Sequence, residues 1–184
     1  IEVEFLKIDE DLNNLSLESD SVDLVHSSGV LRHAKEINLA LKEIYRVLKP
    51  GGSFQVMVYN YSSLWLHLYT AYLTQIKNKK YSNLPLKEAF RKLTDGADCP
   101  ISNCYKPQEF ESLVKSYGFN GAFKGASIST TELKMLPEIY KAIEDQSLAQ
   151  EHRDFLSSLR FNEKNHPIFQ GAVAGINACF LFKK

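Results

Sequence analysis

Residues able to do chemistry gather at three places in this 184-residue chain. Ser27-Ser28-Gly29 closes a short apolar run, Val22 to His26, rich in β-branched residues, and His33 follows a few residues later. Tyr59-Asn60-Tyr61 closes a second apolar run that begins at Ser53. If both runs are parallel strands, both triplets sit at strand carboxyl ends, where open α/β sheets place ligands. An imidazole exchanges protons near neutral pH, so His33 is a candidate to orient a substrate or act as its base. Trp65, His67, Tyr69 and Tyr72 fall within one helical stretch and suit an aromatic lid. Each group also has a purely architectural reading: a tight strand-to-helix turn, a packed histidine, an ordinary buried helix. Cys99 and Cys104 lack a helper histidine at motif spacing, so no cysteine nucleophile is expected. The three cysteines lack zinc-type spacing, so no metal site is expected either.

The elements that must position these residues centre on Ser21 to Tyr59. Ile37, Leu41, Ile44 and Leu48 recur at helical spacing, with Ala40 and Val47 beside them. Lys49-Pro50-Gly51-Gly52 stops that helix, because proline cannot continue the ladder and glycine accepts a left-handed turn. Strand, helix and strand make one βαβ unit, whose two strands should run parallel. Before it, residues 3–8 read as a strand, and Asp9, Glu10 and Asp11 as an acidic loop. After it, Leu64 to Ile76 reads as a helix covered on two sides, since its apolar residues exceed one stripe. A second helix is expected over Leu86 to Leu93, and a turn-rich loop from Thr94 to Pro100. Pro107 to Tyr117 reads as a helix with proline near its first position and Gly118 just past its end. Phe119 to Ile128 should be a strand. Helices are expected over Leu133 to Gln146, interrupted or started at Pro137, and Leu148 to Leu159. Ala172 to Phe182 is too apolar to face water on one side and belongs inside the sheet.

Lys plus Arg equals Asp plus Glu, 22 each, so the formal net charge is zero, which argues against a protein built mainly to bind nucleic acid. Free thiols fit a reducing, cytoplasmic compartment. No signal peptide and no apolar run long enough to span a bilayer is found.

Three pieces of sequence resemble the class I S-adenosylmethionine-dependent methyltransferases, in particular the small-molecule group related to quinone-biosynthesis enzymes. Asp11-x-x-x-Leu15-Ser16-Leu17 resembles that family's Asp-x-x-x-Leu-Pro-Phe. Ser21-Val22-Asp23-Leu24-Val25 resembles its Ser-Phe-Asp-x-Val. Leu41-x-Glu43-Ile44-x-Arg46-Val47-Leu48-Lys49-Pro50-Gly51-Gly52 is nearly identical to its helix-to-strand junction, and Leu31-x-His33 fits its Val-Leu-x-His. The resemblance runs over about the first sixty residues. It continues only as an order of elements and a loose pattern at Asp95, Gly96, Pro100 and Tyr105.

The resemblance implies a Rossmann-like α/β sheet of parallel strands with an antiparallel last strand. It implies S-adenosyl-L-methionine as cofactor and methyl transfer to a small-molecule acceptor. Asp11 and Leu12 would hold the adenine. Ser27, Ser28 and Gly29 would lie along the methionine part. Tyr59, Asn60, Trp65 and Tyr69 would meet the acceptor, with His33 as the catalytic candidate. The chain lacks the family's glycine-rich loop and starts where its third strand would start. We therefore expect residues 1–184 to be the C-terminal two-thirds of one methyltransferase domain, truncated at the N-terminus. Helical insertions are expected at about 62–104 and 130–170. Such a fragment is expected to be inactive alone. The alternative is a non-catalytic methyltransferase-like module that pairs with another chain. An open sheet edge also invites homodimerisation.

Overall fold

The computed structural model describes residues 3, 5, 8 and 14–184. Asp11 and Leu12 lie outside the described residues, and so does most of the expected first strand, residues 3–8.

The central unit forms as its pattern dictates. Strand β1, Val22–Ser28, leads through a short 3-10 turn, Leu31–His33, to helix α1, Ile37–Val47. Ala40, Leu41, Ile44 and Val47 are its buried stripe. The helix stops when Leu48 turns extended, and Gly51 takes the left-handed conformation at φ 79°. Strand β2 runs from Leu48 to Asn60, so it starts before the proline rather than at Ser53. The irregularity shows as a register shift between Val22 and Leu24 in the β1–β2 pairing. The two strands are parallel, with Val25 opposite Phe54 and Ser28 opposite Met57.

The first insertion then leaves the sheet. Trp65–Lys77 is a π-type helix, followed by α2, Leu86–Thr94, and a two-residue strand β3, Cys104–Tyr105, that returns to β2. The π-helix is indeed covered on two sides. Leu66 packs with Tyr59, Phe90 and Ile176, while Leu68, Ala71 and Tyr72 join a second cluster. Helix α3, Pro107–Lys115, and strand β4, Asn120–Ser127, follow. Gly118 sits just beyond α3 at φ 95°, above the ring of Tyr45.

The second insertion is more broken than its sequence suggested. The helical pattern is interrupted at Pro137 as expected, where a 3-10 turn, Leu136–Glu138, separates α4, Thr130–Lys134, from α5, Ile139–Glu144. Helix α6, Gln150–Ser158, follows. Three short strands, β5 (Arg160–Phe161), β6 (Pro167–Phe169) and β7 (Ala172–Val173), form an unforeseen second sheet. Thus the expected last strand is split. Its first residues belong to β7, and only β8, Asn177–Lys183, enters the main sheet. At the break, a Cβ on Gly175 would meet the backbone oxygen of Ser127 at 2.2 Å, so glycine is required for this close approach.

The main sheet has the order β1-β2-β8-β4, with β8 antiparallel to both neighbours. Its alternation is clean: Phe54, Val56 and Val58 oppose Phe182, Phe180 and Ala178, and all six are buried. They pack under α1 and α3 with Leu41, Ile44, Phe110 and Val114. The opposite face carries Gln55 and Cys179 in solvent, and Leu24 is 51% exposed.

Candidate functional site

The carboxyl ends of β1 and β2 converge as the parallel pairing requires. Beside the end of β1 lies a cavity of about 170 Å³ walled by Ile8, Leu15, Val25, Val30, Leu31, Ala40 and Ile44. Ser27 opens onto it, and its hydroxyl is buried with no hydrogen-bond partner. A buried unpaired hydroxyl in an apolar recess costs stability unless a ligand completes it. Gly29 follows at φ 73°, its N–H donating to the carbonyl of Met57 at 3.1 Å. A Cβ there would lie 2.2 Å from Nη1 of Arg32, so glycine makes room for that guanidinium.

Arg32 belongs to a hub that the sequence did not announce. Its centre is Asp95, just past α2. Oδ1 of Asp95 accepts from Nη2 of Arg32 at 3.0 Å and from the Tyr59 hydroxyl at 2.9 Å. Oδ2 accepts from the Ser102 hydroxyl at 2.6 Å. The Arg32 guanidinium also stacks on the Tyr59 ring, 4.1 Å from its centroid. Burial alone would raise the Asp95 carboxyl, but donation by Ser102, Arg32 and Tyr59 outweighs it and holds the group below its ordinary value. Burial pushes the Tyr59 phenol up to about 12, with the Arg32 charge opposing and Asp95 reinforcing. The phenol therefore stays protonated and serves as a donor.

His33 borders this hub. Its Nδ1 donates to the carbonyl of Ile101 at 2.7 Å, which leaves Nε2 as the basic nitrogen, 3.7 Å from Oδ1 of Asp95. Sγ of Cys99 lies 3.6 Å from the same Nδ1. His33, Asp95 and Cys99 thus offer three ligand-type atoms within 4.8 Å of one another. The adjacent guanidinium and the filled oxygens of Asp95 oppose a cation there, and the cluster is better described as a hydrogen-bonded hub.

Of the other expected site residues, Asn60 has protein partners of its own, while the Trp65 indole N–H is buried without one. Asn60 is 2% exposed; its amide donates to Ser62 and Gly175 carbonyls at 3.0 and 2.9 Å and accepts from the Ser62 N–H at 2.9 Å. It pins the start of the first insertion to the entrance of β8. Trp65 and Tyr69 pack on each other with ring centroids 4.7 Å apart. Burial raises the Cys104 thiol to about 11, which disfavours the nucleophilic thiolate.

Between the two insertions lies a larger cleft of about 460 Å³, with Tyr61, Ser62 and His67 on one side and α6 with Phe169 on the other. His67 and His152 meet beneath it, Nδ1 to Nδ1 at 2.8 Å, with His67 stacked on Phe155 at 3.9 Å. Burial drives His67 down to about 3, and the neighbouring His152 adds to this. Burial lowers His152 too, partly offset by Glu151.

The sheet order and its single antiparallel strand define a Rossmann-like fold of the kind found in methyltransferases. A structure from Archaeoglobus fulgidus, a SAM-dependent methyltransferase, superposes with a TM-score of 0.54 at 16% identity, covering 97% of this chain and 66% of that one. One from Thermotoga maritima gives 0.52 at 16% identity, covering 94% and 61%. The methyltransferase domain family matches residues 2–56. The ubiquinone/menaquinone biosynthesis C-methyltransferase of Rubrivivax gelatinosus is 44% identical over 52 residues, 28% of this chain and 21% of that protein. A sterol 24-C-methyltransferase of Gibberella zeae is 25% identical over 174 residues, 95% of this chain and 41% of that protein. Residues 2–56 are thus similar to a methyltransferase domain, and the rest of the chain continues that fold. The chain spans about a fifth and about two fifths of the length of these two curated relatives.

Proposed function

We propose that this chain forms the acceptor-side two-thirds of a domain that transfers a methyl group from S-adenosylmethionine to a small molecule. The observation that carries the reading is the recess at the end of β1, with its unpartnered Ser27 hydroxyl, inside the stretch matched to the methyltransferase domain. The recess has room for one flat heteroaromatic ring between Val30, Leu31 and Ile44. Ser27 would donate to that ring, Asp11 and Leu12 would take its amino edge, and Ser28 and Gly29 would pass the rest of the cofactor over bare backbone. The cofactor supplies an electrophilic methyl group. His33, with Nδ1 engaged by the Ile101 carbonyl, would use Nε2 to take a proton that an acceptor releases. The names of the curated relatives, a ubiquinone/menaquinone biosynthesis C-methyltransferase and a sterol 24-C-methyltransferase, support a small-molecule acceptor. No helix among the described residues is long and apolar enough to cross a membrane, and three free thiols support a cytoplasmic setting.

Calorimetric titration with S-adenosylhomocysteine tests this reading. A polypeptide extended at its N-terminus should bind, this chain alone should bind more weakly, and Ser27→Ala in the longer form should lose about tenfold in affinity. No binding by either form overturns the reading.

Pairing with another chain is favoured by one feature. Among the described residues β1 hydrogen-bonds only to β2, and Leu24 stands exposed beside its open edge. A homodimer through that edge would show as a concentration-dependent mass in sedimentation. Leu24→Lys should shift it to monomer, and an unchanged monomer at all concentrations sinks the pairing.

A further inference from the structure

The cleft between the insertions is chemically lopsided. Its walls are the rings of Tyr61, Phe155 and Phe169. Two carboxylates, Glu151 and Asp154, line it from successive turns of α6. Among the described residues neither has an ammonium or guanidinium partner. Asp154 accepts from the amide of Gln150 at 2.6 Å, and Glu151 lies 3.5 Å from Nε2 of His152, a buried and neutral ring. Arg153, between them, turns away to Gln146 and Gln150. One lysine lines the cleft, Lys106, and it is engaged by Glu109 at 3.4 Å. Its Nζ also lies 5.4 Å from the centroid of the Tyr61 ring, so that ring face already receives a cation.

We propose that this cleft is a binding site for a small organic cation, an aryl-alkyl ammonium compound. Its ring would lie among Tyr61, Phe155 and Phe169, and its ammonium between Glu151 and Asp154. The two carboxylates supply charge on one side only, standing at the exposed rim of the cleft while the rings line it further in. Lys106 sets the limit of the site by repelling a second cation at the Tyr61 end. The site deepens the reading of the chain as acting on small molecules, and rests on it only for biological meaning. Recognition itself depends on the cleft alone.

Three probes of one shape separate charge from shape: 2-phenylethylamine, 2-phenylethanol and phenylacetate. Each is titrated into the full chain by calorimetry at neutral pH, with S-adenosylhomocysteine titrated separately into the same sample. The amine should bind about tenfold more tightly than the alcohol, and phenylacetate more weakly still. Glu151→Gln with Asp154→Asn should bring amine and alcohol level. Both positions are exposed, so the fold is retained. Lys106→Met should tighten amine binding about threefold by removing the like charge. Equal binding of amine and phenylacetate, no binding of any probe at millimolar concentration, or an amine preference that survives the double substitution each overturns the proposal. Absence of S-adenosylhomocysteine binding by the N-terminally extended polypeptide as well, with the amine preference intact, would fault the methyltransferase reading instead.

Discussion

The sheet and the insertions are held together by different physics. Beneath α1 and α3 the core is an apolar stack of Leu, Ile, Val and Phe side chains, closed by ring pairs such as Phe110–Phe180 at 4.8 Å and Phe54–Phe119 at 5.4 Å. The buried polar residues are nearly all elsewhere. Among the described residues, Ser63, His67, Thr70, Thr74, Ser102, Glu132 and His152 belong to the insertions, and only Ser27 and Asn60 lie on the main sheet, both at strand ends. The sheet is therefore fixed by apolar area and registers itself by alternation. The insertions are fixed by a few satisfied polar contacts that specify one arrangement. Such contacts have direction, so an insertion can present particular groups to a cleft. They are also easier to disrupt one at a time.

Removing the centre of each region should expose this contrast. Phe54 is fully buried and touches rings from β8 and from Phe119, just before β4, so Phe54→Ala should cost about 4 kcal/mol. That loss should appear as one cooperative transition, with sheet and insertions unfolding together. Urea unfolding followed by far-UV dichroism and by Trp65 fluorescence reads both regions, and coincident midpoints are expected. A core that was loosely packed would give a loss below about 1 kcal/mol.

Asp95→Ala should cost about 3 kcal/mol, because it leaves the Arg32 guanidinium and the Tyr59 hydroxyl without their acceptor. Here the two probes should separate: amide exchange should rise first over residues 94–103 while β2 stays protected. Asp95→Asn keeps one acceptor oxygen and should recover part of the loss. Equal exchange everywhere, or no loss at all, would show that the hub does not hold the insertion to the sheet.

The same contrast explains what could be read in advance. The βαβ unit was legible because its signals are local: Ile37, Leu41 and Ile44 mark a helix face, and Pro50 with Gly51 marks its end. The placement of β8 within the sheet was legible from its apolar run, although Gly175 and the close approach of Ser127 split that run in a way no spacing reveals. The candidate site was legible only in part. Ser27 and Gly29 fall where a strand end predicts them. Asp95 meets Arg32 across 63 residues, and His67 meets His152 across 85, with no periodic signal joining either pair. Asn60 sits at the expected strand end, yet its amide turns inward to Gly175. Facing the ligand side of a sheet fixes where a residue stands, not where its hydrogen bonds go.

The smallest expected effect lies in the pH dependence of the insertions. An unfolded histidine takes up a proton near pH 6.5. Folded His67 resists until about pH 3, because burial and the neighbouring His152 disfavour its charged form, and His152 is lowered in the same direction. Between these values the unfolded chain binds more protons than the folded one. The stabilising contribution is thus fully present above about pH 6.5 and is lost as pH falls, by at most about 1.4 kcal/mol per pH unit for each ring. Glu132 works against this. Burial raises its carboxyl, so its contribution is present in acid and is lost as pH rises above the ordinary carboxylate range. The two effects can be separated by substitution. His67→Phe with His152→Leu should flatten the rise of the urea midpoint between pH 5 and 6.5, whereas Glu132→Gln should steepen it. Phe54→Ala, which touches no titrating group of the insertions, should lower every midpoint and leave the slope unchanged. A slope that survives loss of both histidines would mean that the acid sensitivity resides outside the pair, and that the insertions are not distinguished from the sheet in this respect.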